Sequence, residues 1–370
     1  MENNYYILIS AGLTAVIVFA GILLATSPYE GGPEGSTVDL QNTSFNTSSE
    51  VKMTEGGRKY VVSPDKLLQG CPGGKDCIPS IDNPQFASAG EADWLNPSDK
   101  VVGLEVNNES RAYPLRILSR HEIVNDRVGG EPVAVTYCPL CRSAVTHSRR
   151  VGDQMLEFGV SGKLYNANLV MYDRSSDTLW SQISGRAIIG EKVPQRLDLV
   201  FSSITEWNEW EKAHPDTKVL SRDTGVYPNS VYETEAYSGY KRSERVGYGV
   251  NQVDERLPSK DIVYGVKTGN QSIAVTKDAL EDEQMIQTEI DNDTLIVFRR
   301  PSDGSVTALL QNETDVDFSL NNEEISGSGG DRWTLNGEDV DGNEDMRRLL
   351  AQGFYWFAWS KFNSETQLYR

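Results

Sequence analysis

Val101-Val-Gly-Leu-Glu-Val-Asn-Asn-Glu-Ser-Arg-Ala-Tyr-Pro114 reads as two alternating runs on either side of Asn107-Asn108. Alternation predicts strands with one buried face, and an Asn pair between them predicts a tight hairpin. The stretch matters because it occurs twice. Gly103, Asn108, Ser110 and Ala112 fall without a gap on Gly265, Asn270, Ser272 and Ala274. The same register sets Val133-Ala-Val-Thr over Leu295-Ile-Val-Phe, Pro139 over Pro301 and Ser143 over Ser305. Near the ends, Trp207-x-x-Trp210-x-Lys212 is answered by Trp356-x-x-Trp359-x-Lys361, and Asp216-Thr217 by Glu365-Thr366. Two degenerate tandem copies are expected, the second shortened.

The elements between these marks predict an α+β fold, mainly antiparallel β with a few short helices. Leu115 to Asn125 has helical spacing and carries His121. Val133 to Tyr137 reads as a buried strand, followed by short strands at 156–160, 169–172 and 187–189. Ser203 to His214 reads as an amphipathic helix capped by Ser203 or Thr205, with Trp207 and Trp210 on its core face. His214, at its end, reads as a C-terminal capping residue.

Ile7 to Ala25 is an uncharged apolar run of 19 residues, long enough to cross a bilayer. No basic residue precedes it, which favours an uncleaved transmembrane helix over a signal peptide. The following Ser27 to Glu55 is rich in Gly, Ser, Thr and Asn and reads as a flexible stalk. The expected organisation is an anchor at 1–26, a stalk at 27–58, a first copy at 59–235 and a degenerate second copy at 236–370. Sequons at Asn42, Asn46 and Asn108, among six, suit N-glycans on an extracytoplasmic body. The predicted location is therefore a cell membrane crossed once. Net charge is −19 over 370 residues, which excludes duplex binding without a basic patch and suits a protein kept hydrated in high salt. Protein partners are not legible.

Chemistry concentrates in Val135-Thr-Tyr-Cys-Pro-Leu-Cys-Arg-Ser-Ala-Val-Thr-His147. Cys138-x-x-Cys141 admits three readings. As a metal knuckle, Cys138 and Cys141 join His121 and His147 around Cu or Zn, because thiolate and imidazole are soft ligands. As a redox pair they serve a thiol–disulfide oxidoreductase. As a staple they form a structural disulfide in a surface domain. The strand-like continuation and the position of Pro139 favour the knuckle. In the register of the copies, Cys138 faces Arg300, Cys141 faces Asp303 and His121 faces Glu283. The soft ligands vanish where scaffold residues persist, which assigns chemistry to the first copy and support to the second. Cys71 and Cys77 enclose two glycines and are expected as a disulfide. Lys163, Tyr165, Asn166 and Gln182 belong to a dense polar-aromatic run and are candidates for a cofactor pocket. No catalytic residue is assigned, and no nucleophile triad, phosphate loop or dinucleotide fingerprint is present.

Several segments together resemble one family. They are Arg-Ala-Tyr-Pro-Leu-Arg-Ile-Leu at 111–118, His-Glu-Ile-Val-Asn-Asp at 121–126, Pro-Val-Ala-Val-Thr-Tyr-Cys-Pro-Leu-Cys at 132–141, Gly-Val-Ser-Gly-Lys-Leu-Tyr-Asn at 159–166, Leu-Val-Met-Tyr-Asp-Arg at 169–174 and Leu-Trp-Ser-Gln at 179–182. They are similar to the DUF3179 family of archaeal and bacterial proteins. The resemblance is specific from Asp65 to Thr224 and weaker beyond. It implies an exported or anchored protein and supplies no reaction. Arg142 departs from it, standing where the family motif usually has Gly.

Overall fold

A computed structural model describes residues 50–370, except 248, 251, 270, 313–315, 322 and 343, and the backbone strand Thr37–Val38. The expected anchor, most of the stalk, and the sequons at Asn42, Asn46 and Asn270 lie outside the described residues. No helix among the described residues is long and apolar enough to cross a membrane. The fold is mostly antiparallel β-sheet with a few short helices.

The hairpin forms as its sequence dictates. Lys100–Val106 pairs with Glu109–Pro114, and the two turn residues take left-handed φ values of 50° at Asn107 and 61° at Asn108. Asn tolerates that conformation better than other residues with a Cβ, and it matches the twist of the strands. The hairpin sits in a sheet ordered Ser202–Glu206, Lys100–Val106, Glu109–Pro114, Lys218–Leu220, Phe86–Ser88, with one parallel pair, Glu109–Pro114 on Lys218–Leu220.

The second half follows the same succession. Gln352–Tyr355, Ile262–Thr268, Gln271–Thr276 and Gln367–Tyr369 take that order, and again the last pair is parallel. In each half a seven-residue helix follows the hairpin, Leu115–His121 and Lys277–Glu283. Each ends on a left-handed residue, Glu122 at φ 58° and Gln284 at φ 63°. Each is followed by an antiparallel meander. The first is Ile123–Val128, Glu131–Cys138 and Ser143–Ser148; the second is Met285–Ile290, Asp293–Arg299 and Val306–Gln311.

The tryptophans explain the glycines. A Cβ added at Gly103 would stand 2.3 Å from Cε3 of Trp210, and one at Gly265 would stand 2.3 Å from Cε3 of Trp359. Both indole nitrogens donate to a threonine seven residues on, Trp210 to Thr217 and Trp359 to Thr366, each at 3.0 Å. A buried indole needs a partner for its N–H, and the fold supplies the same one twice.

One boundary differs from expectation. The helix runs Trp207–Ala213, not from 203, and no side chain caps it. Ser202–Glu206 is instead an edge strand on Lys100–Val106, with Ile204 opposite Val102. Sheet pairing of a run containing Ile204 and Thr205 displaces the helical reading. His214 is the C-cap residue; its ring stacks on Trp210 at 3.9 Å and its Nδ1 lies 3.1 Å from Glu105.

The halves differ in their insertions. The first carries a sheet ordered Lys52–Met53, Lys59–Tyr60, Ala187–Ile189, Leu179–Ser181, Asn168–Asp173, Phe158–Tyr165, Leu68–Gln69. The second carries, among the described residues, the three-stranded sheet Phe318–Leu320, Glu324–Gly327, Arg332–Thr334, and the strand Arg347–Leu349 added to its meander. The halves also dock reciprocally. The Tyr355 amide donates to the Cys141 carbonyl at 3.0 Å, and the Thr205 hydroxyl donates to the Asp303 carbonyl. Each half thus seats the turn after its second meander strand on the strand that precedes the other half's tryptophan helix.

Candidate functional site

The Glu131–Cys138 and Ser143–Ser148 strands pair so that Cys138 lies opposite Ser143, and the Pro-Leu-Cys-Arg turn joins them. Arg142 holds this turn at φ 56°; at the matching place in the second half Gly304 sits at φ 68°. The left-handed requirement explains why a glycine would be at home there. One Arg142 guanidinium nitrogen is buried with no hydrogen-bond partner among the described residues.

Cys138 and Cys141 are free thiols, 1% and 0% exposed. They pack with Ala167, Tyr355 and Phe357, so both halves enclose them. Their polar surroundings are unequal. Among the described residues the Cys138 thiol faces the Ala167 carbonyl, at 3.8 Å, and the Cys141 sulfur. Cys141 Sγ receives the Asn168 side-chain amide at 3.1 Å and lies 3.2 Å from Ser143 Oγ. Burial and the neighbouring Cys141 hold Cys138 well above the ordinary thiol range. Burial also opposes ionisation of Cys141, yet hydrogen bonds from Cys138, Ser143 and Asn168 outweigh it and bring Cys141 below that range.

A buried network fixes the donors. Asn168 and Ser143 both donate to Gln182 Oε1, at 2.8 and 2.9 Å, and Gln182 Nε2 donates to Thr136 Oγ1 at 2.9 Å. Ser143 has one proton. When Cys141 carries a negative charge, that proton can turn to the sulfur while Asn168 still serves Gln182.

Glu122 feels the charge of Cys141. It follows the helix end at a left-handed position, its amide donating to the Leu118 carbonyl at 2.7 Å. Its side chain is 6% exposed, and burial first, then the Cys141 charge, pushes its carboxyl up to about 8. Nearby, the Tyr137 hydroxyl is buried with no partner among the described residues, and burial raises its pKa. Tyr240, on the short helix Ser238–Lys241, donates its hydroxyl to the Leu140 carbonyl at 2.7 Å and packs with Val246 and Val250 over the thiols.

The expected metal ligands do not come together, and that grouping is corrected. Among the described residues no three His, Cys, Asp or Glu side chains are arranged to hold a metal ion. Both imidazoles make other contacts, although His147 Nδ1 is buried with no partner among the described residues. His121 Nδ1 meets the Pro79 carbonyl at 2.7 Å and Nε2 meets the Tyr232 hydroxyl at 2.6 Å. His147 Nε2 donates to the Gln182 carbonyl at 2.8 Å. A metal on these thiols would need other donors.

Of the candidate pocket residues, only Gln182 joins the thiol network. Tyr165 lies edge-on to Phe362 at 5.6 Å, and Asn166 shares a left-handed turn with Ala167. Both line a separate cavity, whereas Lys163 lies on the Phe158–Tyr165 strand opposite Gln69. Cys71 and Cys77 are joined as a disulfide with their Cα atoms 6.4 Å apart. Glu122, Ser143 and Asn168 were missed as site residues. Glu122 had a readable signal: the register that exposes the lost thiols also sets Glu122 over Gln284, an acid over its neutral isostere.

A family model described as a protein of unknown function (DUF3179) matches residues 75–366, a span that includes both halves. No curated protein and no solved structure matches the chain.

Proposed function

Because the chain belongs to the DUF3179 family, which has no assigned function, we propose its role from its own side chains: Cys138 and Cys141 form a redox-active dithiol served by Glu122. The observation that carries this reading is the asymmetry of the two sulfurs. Cys141 is supplied with donors from Asn168 and Ser143, while Cys138 is not. A thiolate is the nucleophile of thiol–disulfide exchange, and donors to one sulfur select which thiol ionises.

In the proposed reaction the Cys141 thiolate attacks one sulfur of an external disulfide. A mixed disulfide forms and the other sulfur leaves as thiolate. Cys138 then loses its proton to Glu122 in its ionised form, which gains weight as pH rises toward 8, and attacks Cys141 Sγ. This closes the Cys138–Cys141 disulfide and releases the second substrate thiolate. Two electrons pass to the substrate, and Cys138 and Cys141 are oxidised together. Cys138 and Cys141 are buried, so access requires the residues packed against them to move. The reading extends to organisation and place. It takes the chain as two degenerate copies, bounded near residue 235, anchored by residues 1–26 with the body outside the cytoplasm. The apolar run, the sequons and the Cys71–Cys77 disulfide support that location.

The test equilibrates the full chain with dithiothreitol buffers of graded potential, then alkylates free thiols and measures mass. With the alkylated cysteines located by peptide mass, so that the Cys71–Cys77 pair is counted apart, wild type should lose and regain Cys138 and Cys141 together, and Cys138→Ser and Cys141→Ser should each abolish that transition. Thiols that stay reduced at every potential would sink the proposal. Stoichiometric Zn or Cu that departs in Cys138→Ser would instead favour the two sulfurs as metal ligands.

A further inference from the structure

The second half's counterpart of the thiol turn faces a cavity of its own. In the register of the copies Cys138 faces Arg300 and Cys141 faces Asp303. Arg300 and Asp303 line a cavity of about 230 Å³, formed where this turn meets the first half's hairpin and tryptophan helix. The first half contributes Glu105, on the Lys100–Val106 strand, and His214. The second half adds Thr307, Glu338 and Arg348. The place that carries sulfur in one half carries charge in the other.

Three residues on this wall have unmet hydrogen-bonding capacity. Thr307 is 2% exposed, and its hydroxyl has no hydrogen-bond partner among the described residues. Nε of Arg300 and Nε of Arg348 are also buried without a hydrogen-bond partner among those residues. Both guanidiniums donate instead to a single acceptor, Asn336 Oδ1, at 2.7 Å from Arg300 and 3.3 Å from Arg348. Buried donors are costly to leave unmade, so their convergence on one wall marks a place for acceptor oxygens.

The carboxylates of the wall do not complete them. Asp303 Oδ2 stands 3.9 Å from Arg300 Nε, beyond hydrogen-bond reach, and 3.9 Å from His214 Nε2. Glu105 Oε2 is committed to His214 Nδ1 at 3.1 Å. Arg348 forms no ion pair among the described residues, and its guanidinium lies 3.9 Å from the centre of the Phe201 ring. Burial first, then the Arg300 charge, pushes Arg348 down to about 9 despite Asp303 and Glu338. Glu338 is exposed and accepts from the Thr334 hydroxyl at 3.3 Å, and it too forms no ion pair among the described residues. One wall thus keeps an arginine and a glutamate that do not pair with each other.

The balance of charge selects the occupant. Arg300 and Arg348 face Glu105, Asp303 and Glu338, so even a protonated His214 would leave no cationic excess. A phosphate or sulfate dianion would meet repulsion there. A zwitterion brings an anion for the arginines and a cation for Glu338 with no net charge. The cavity is smaller than the roughly 300–1,000 Å³ usual for drug-sized ligands, which suits a small molecule. We propose that this cavity binds a free amino acid as its zwitterion. The carboxylate takes Arg300, Arg348 and the Thr307 hydroxyl, and the ammonium takes Glu338. The proposal does not rest on the dithiol, because none of these residues belongs to the thiol network.

Calorimetric titration of the full chain with glycine, L-alanine and L-glutamine tests it, with acetate and inorganic phosphate as controls at matched ionic strength. At least one amino acid should bind saturably, and at least tenfold more tightly than acetate or phosphate. Arg348→Gln should weaken that binding at least tenfold. Thr307→Val removes a hydroxyl that has no partner among the described residues. It should weaken binding several-fold without lowering the temperature of thermal unfolding. Glu338→Gln, at an exposed position, should weaken the amino acid several-fold and not weaken acetate, a split that general loss of structure would not produce. Heats from all three amino acids no larger than those of acetate, tighter binding of phosphate, or amino-acid binding undiminished in Thr307→Val and Glu338→Gln would overturn the proposal.

Discussion

Glu122→Gln will remove a pH-dependent penalty of about 5 kcal/mol between pH 4.5 and pH 8. The carboxyl is raised from 4.5 to about 8, with burial as the leading cause and the Cys141 charge second. That span corresponds to about 5 kcal/mol at 1.36 kcal/mol per pH unit. A raised carboxyl means that the folded state keeps a proton the unfolded chain has released. Its contribution is full below pH 4.5 and is lost as pH rises through about 8. Wild type should therefore lose stability relative to the variant across that window.

The comparison with the variant is needed because other groups oppose the trend in part of the range. Burial lowers His147 from 6.5 to about 4 and also lowers His121. The unfolded chain binds those protons first, so stability rises with pH up to about 6.5. Wild type alone should fall mainly between pH 6.5 and 8. The lowered Cys141 works the other way wherever its thiolate forms. Glutamine suits the position sterically, since Gln284 ends the matching helix in the same left-handed conformation. Urea unfolding at pH 5, 6.5 and 8 reads the difference. Parallel curves for wild type and variant would mean that Glu122 ionises as freely in the fold as in water.

The fold was legible where local geometry leaves one solution. Asn107-Asn108 fixes its hairpin because few residues accept positive φ twice in succession. The tryptophan–glycine pairs were visible as matched spacings, because an indole lying flat on a strand excludes any Cβ beneath it. The 202–206 strand was not legible, since its edge position depends on a partner about one hundred residues away. At the two thiols the turn was legible and the neighbours were not. Spacing locates Cys138 and Cys141 at a turn, but the directions of His121 and His147 are set by Pro79, Tyr232 and Gln182, which lie remote in sequence.

Trp210→Ala and Trp359→Ala should each lower stability by about 3–5 kcal/mol, the usual range for truncating a buried tryptophan. The two rings are 4% and 1% exposed, and each sits on a strand glycine and ties the chain to a threonine through its indole N–H. Truncation opens a cavity over Gly103 or Gly265 and leaves Thr217 or Thr366 without its donor. The converse substitution, Gly103→Ala, drives a methyl into the Trp210 ring and should cost about 1–3 kcal/mol by overpacking. Together with Trp210→Ala the same methyl enters vacated space. The double variant should thus be more stable than the sum of the single losses predicts, by about 0.5–3 kcal/mol. Urea unfolding of the four proteins measures that coupling, and Gly265→Ala with Trp359→Ala repeats it in the second half. If Trp359→Ala costs less than about 1 kcal/mol while Trp210→Ala costs several, the shared geometry does not carry shared energetics, and the second half rests on contacts other than its tryptophan.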